Sequence, residues 1–188
     1  MALVLMFSFS AGSATSVSAN ETEGTYDALI SEEDVEILED ALQLIEHMPE
    51  ELLEEGKEEE RLDWMIDYTD NDELKSEIVL AKKMQNASVQ PMGVYSCAKG
   101  IASAIVQLAV PVTKITKLKK VIKAAGGTKQ FASKLMKYYK VYNQKQGYTK
   151  RQAMKKAIER VGKGHGPDVI DAMLSFLGVD AFVNGCLK

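Results

Sequence analysis

Apolar residues recur along this 188-residue chain at steps of three and four, and no stretch shows the strict alternation of a half-buried strand, so the pattern predicts an all-α protein. In the first half, Ser31 followed by Glu32, Glu33 and Asp34 marks a helix start. Val35, Leu38, Leu42 and Ile45 then line one face to about residue 48. Pro49 suits the first turn of a second helix that Gly56 closes. A third segment over 57–68 gathers Leu62, Met65 and Ile66 near Trp64, and a fourth over 73–83 is capped by Asp70-Asn71-Asp72, with Leu74, Ile78, Val79 and Ala81 as its apolar set.

The second half repeats the scheme with different filling. An almost uninterrupted apolar run over 101–112 comes first. Three amphipathic helices follow at 112–125, 129–144 and 150–161, with apolar faces built from Ile115, Leu118 and Ile122, then Phe131, Leu135, Tyr138 and Tyr142, then Met154, Ala157 and Ile158. Gly126-Gly127, with Thr128 as the next cap, and Gly147 with Thr149 separate them. Pro167 opens a last apolar helix that ends at Gly178. The reading is a compact bundle of about five helices, its first and last helices forming the core and its charge lying outside.

Charge changes the picture more than composition does. Hydrophobic content of 46% argues against wholesale disorder. The net charge of −4 hides two opposed halves. Residues 1–91 carry 5 Lys and Arg against 23 Asp and Glu, a balance of −18, while residues 92–188 carry 18 against 4, a balance of +14. A domain so basic is drawn to polyanions, and the acidic half is its internal competitor.

Residues 1–19 read as a secretory signal, an apolar run followed by small residues, with cleavage between Ala19 and Asn20. The run is too short to span a bilayer. Export makes the two cysteines, Cys97 and Cys186, a natural disulfide closing the basic half. The resulting layout is a signal at 1–19, an acidic helical propeptide at 20–83, a linker with a processing site at 84–95 after the dibasic Lys82-Lys83, and a basic helical domain at 96–188. In layout alone this resembles precursors of larger secreted bacteriocins of Gram-positive bacteria, a likeness that transfers no functional residues.

Enzyme chemistry is not expected. His165 stands in a glycine-rich loop near Asp168 and Asp171, yet no nucleophile motif, HExxH, GxSxG or phosphate-binding loop accompanies it. No cofactor is called for, and no metal, since only two histidines could join the cysteines. The expectation is an extracellular, cationic, membrane-active protein masked by its own propeptide and released by a processing protease. Lys114, Lys117, Lys119, Lys120, Lys123, Lys134, Lys137, Arg151 and Lys155 would engage the anionic membrane of a target cell, and Ile101, Ile105, Val106 and Leu108 would insert. Two other classes fit the charge: an exported structural protein of wall or spore whose halves pair between molecules, and a nucleic-acid-binding module using the basic helices and their tyrosines.

Overall fold

The computed structural model describes residues 31–87, 96–109 and 111–187, which contain nine α-helices and no strand. The signal segment with Ala19 and Asn20, most of the linker (88–95) and the side chain of Leu108 lie outside the described residues.

In the acidic half, α1 (Glu32–His47) starts at a capping box in which the Ser31 hydroxyl accepts the Asp34 amide at 3.1 Å. A 3-10 turn (Glu50–Leu52), preceded by Pro49 as its cap, stands where a second helix was expected, and Leu52 and Leu53 pack against the core. Then come α2 (Glu58–Tyr68) and α3 (Asp72–Asn86), the latter capped by the Asn71 side chain on the Leu74 amide. Helix α3 runs three residues past the predicted end, so residues 84–86 are helical too, and the Lys82-Lys83 pair lies within the helix as expected, with Lys82 bonded to Asp63.

Among its described residues the basic half has six α-helices instead of five: α4 (Cys97–Ala109), α5 (Val112–Ala125), α6 (Thr128–Lys140), α7 (Lys150–Val161), α8 (Pro167–Leu177) and α9 (Val179–Cys186). A π-helical turn (Val141–Lys145) continues α6. Gly178, at φ +45°, ends α8 and at once begins α9, which is why it read as a terminus. Thr128 is the first residue of α6 and not its cap.

Helix α1 occupies an interior position that its sequence understates. Besides Leu38, Leu42 and Ile45 it buries Ile37, Ala41 and Leu44, a face wide enough to meet α4, α5 and α6 together. Apolar α4 packs on α3 most extensively and also on α1, α2, α5, α8 and α9. Ala98, Ala102 and Ala109 keep it thin enough for so many neighbours. The buried side chains of both halves join in one apolar cluster.

One close approach completes the basic half. A Cβ on Gly185 would lie 2.6 Å from the Ser96 carbonyl oxygen, so only glycine lets α9 cross the start of α4. The crossing brings the Cα atoms of Cys97 and Cys186 to 4.3 Å, and the two cysteines form the predicted disulfide.

Candidate functional site

The predicted cationic surface divides into residues that face solvent and residues that are already engaged. Lys120, Lys123, Lys137 and Lys155 are exposed, with no carboxylate within 4 Å among the described residues. Carboxylates of the basic half pair with three other members, and a fourth pairs with Lys156 beside them. Asp171 lies 3.6 Å from Lys114, whose ammonium also donates to Ser175 at 2.8 Å, and Asp168 lies 2.7 Å from Lys117. Asp180 holds Arg151 at 2.8 Å, and Glu159 lies 3.7 Å from Lys156. The hydrogen bond from Lys117, aided by the backbone amides of Asp168 and Val169, holds the Asp168 carboxyl below its ordinary range. Asp168 is thus engaged with a lysine, and His165 is exposed in the turn before it. Lys134 turns back to the Ala125 carbonyl at the end of α5, 2.8 Å away.

Lys119 does not belong to the surface. It is 8% exposed, and its ammonium donates to the Met48 carbonyl at 2.6 Å and to Glu50 at 2.9 Å, both in the acidic half. Glu50 is held below the usual carboxylate range by that hydrogen bond and charge. Two further polar links among the described residues cross between the halves. The Glu46 carboxylate accepts the Thr128 amide at 3.1 Å, supplying α6 with the N-terminal cap its own sequence lacks.

The third link is Arg61, which the sequence reading passed over. Its side chain is fully buried, and Nε donates to the Ala109 carbonyl at the end of α4 at 2.8 Å. Nη1 meets the carbonyls of Leu52 and Glu54 at 2.9 and 2.8 Å, and Glu58 lies 3.5 Å from Nη2. Burial lowers its pKa, against the pull of Glu58 and Glu60. The available signal was position: Arg61 falls on the apolar stripe of α2 beside Leu62 and Met65. Charge is therefore not confined to the outside.

The predicted insertion residues Ile101, Ile105 and Val106 are brought together on α4 and are buried, at no more than 3% exposure. No described helix is long and apolar enough to cross a membrane. On the acidic side, a cleft of about 690 Å³ opens between α1 and the α2–α3 connection. Its walls carry Glu33, Glu36, Asp40, Asp70, Asp72 and Glu73, its apolar side chains include Ile37 and Leu44, and no lysine or arginine lines it. Tyr68, stacked on Trp64 at 4.6 Å between ring centroids, stands at the cleft and is 43% exposed.

Comparison with known proteins finds no matching family model, no similar curated protein and no similar solved structure.

Proposed function

We propose that this chain is the secreted precursor of a cationic, membrane-active antimicrobial protein held inactive by its acidic helices. One observation carries the reading: apolar α4 packs against α1, α2 and α3, so the acidic half covers the surface that insertion would need. The charge that attracts an anionic bilayer meanwhile faces solvent on Lys120, Lys123, Lys137 and Lys155. Lysines near such a surface contribute about 1 kcal/mol each, and burial of apolar area follows only if that area is uncovered. Activation then consists of removing a signal at 1–19, cutting between α3 and α4, and losing α1–α3. The Cys97–Cys186 bridge lies wholly on the C-terminal side of that cut, so the released half stays closed.

Dye release from anionic vesicles tests the proposal. Intact protein should leave them sealed, and the basic half freed of α1–α3 should open them while sparing neutral vesicles. Replacing Lys120, Lys123 and Lys137 with Gln should weaken vesicle binding. A freed basic half that leaves anionic vesicles sealed defeats the reading.

A further inference from the structure

The two signs of charge look outward from different parts of the molecule. The carboxylates belong mostly to α1–α3, whereas α7 packs on α6, α8 and α9. The outer flank of the α6–α7 hairpin is exposed. Lys134, Lys137 and Tyr138 share one flank of α6, and Lys156, Arg160 and Lys163 step by four and three along α7 and just past its end, a spacing that puts them on one face. The Arg160 guanidinium lies 5.6 Å from the centroid of the Tyr138 ring, which joins the flanks into one surface. Glu159 is the one carboxylate of α7.

The cleft beside α1 has the complementary chemistry. Glu36, Asp70 and Glu73 supply charge, and the Tyr68 side chain, 43% exposed, adds an aromatic group that can attract a cation. Aromatic and acidic groups together select lysine and arginine over a bare metal ion. Although α6 packs on α1, no residue of the α6–α7 hairpin lines this cleft, so a cationic helix face entering it comes from another molecule.

We propose that the α6–α7 flank of one copy docks in the α1–α3 cleft of a second copy, head to tail. The contact is heterologous, leaving a free cleft at one end and a free flank at the other, so association continues past the dimer. With a net charge of only −4 there is little overall repulsion to oppose it.

Light scattering on the full chain without lipid tests this independently of the vesicle experiment. At low ionic strength the mean mass should climb with concentration beyond that of a dimer, and added salt should return it to the monomer. A cleft variant (Glu36→Gln, Asp70→Asn, Glu73→Gln) and a flank variant (Lys137→Gln, Lys156→Gln, Lys163→Gln) change exposed side chains only, so circular dichroism should match the parent. Each alone should be monomeric. Mixed, they should form a one-to-one dimer that grows no further, because one intact cleft meets one intact flank. A parent chain that stays monomeric at low salt, a variant that still associates alone, or a mixture that does not pair overturns the proposal. A parent that stops at the dimer indicates a symmetric interface and overturns it too.

Discussion

Among single residues, Arg61 carries the largest stake. Three backbone carbonyls take hydrogen bonds from its buried guanidinium, that of Ala109 in the core and those of Leu52 and Glu54 at its edge. Lysine has one donor centre and cannot reach all three. Arg61→Lys and Arg61→Met should each destabilise the fold by about 1–3 kcal/mol, measured by denaturant unfolding, since the buried Ala109 carbonyl is left unpaired. Glu50 offers a gentler test through pH. Its folded pKa lies below the ordinary value of 4.5, so its contribution is complete above that value and is lost as pH falls through the folded one. Asp168 acts in the same sense from an ordinary value of 3.8. The thermal midpoint should therefore hold from neutrality to about pH 5 and then decline. Glu50→Gln should shrink that decline, and an unchanged profile would show that the Lys119 pair contributes nothing.

At the scale of elements, the junctions matter more than the helices they join. Gly185 sits inside α9, where glycine is a poor helix former, because the Ser96 carbonyl leaves no space for a side chain. Gly185→Ala should push α9 off the start of α4, lowering the thermal midpoint and making the Cys97–Cys186 bridge easier to reduce; equal midpoints and equal thiol release would contradict this. The helices themselves were legible where periodicity and caps agree: α1, α2, α5 and α7 lie within a residue or two of their predicted bounds, as did the disulfide from its two cysteines. The 3-10 turn, α9 and the first turn of α6 were not. Pro49, Gly178 and Thr128 have the right chemistry for the roles expected of them, but what settles those places is tertiary. The cap on α6 comes from Glu46, 82 residues away, and α9 is short and held by its crossing with α4. The same limit applies to the candidate surface. Lys119 reads like its exposed neighbours in sequence, and only the approach of Met48 and Glu50 separates it from Lys120 and Lys123.

For the whole molecule, the division by charge at residue 91 is not a division of the core. Leu38, Leu42 and Ile45 of α1 belong to the same cluster as Ile105, Leu118 and Phe131. The chain should unfold in one cooperative transition by calorimetry. Protein cut between α3 and α4 should elute as a complex in 1 M salt, where charges are screened beyond about 3 Å. Dissociation of the cut halves at that salt would show that charge alone holds them. The separation of sign over the surface has a mechanical result. A body with carboxylates on α1–α3 and exposed lysines on the α6–α7 hairpin should have an electric dipole moment, and in the field of a charged wall it should experience a torque before it makes any contact. Near a negative wall the hairpin swings inward and α1–α3 swing outward. Counter-ions confine that turning to the last 8 Å or so of the approach at physiological salt, so the molecule tumbles freely until then and arrives already aligned.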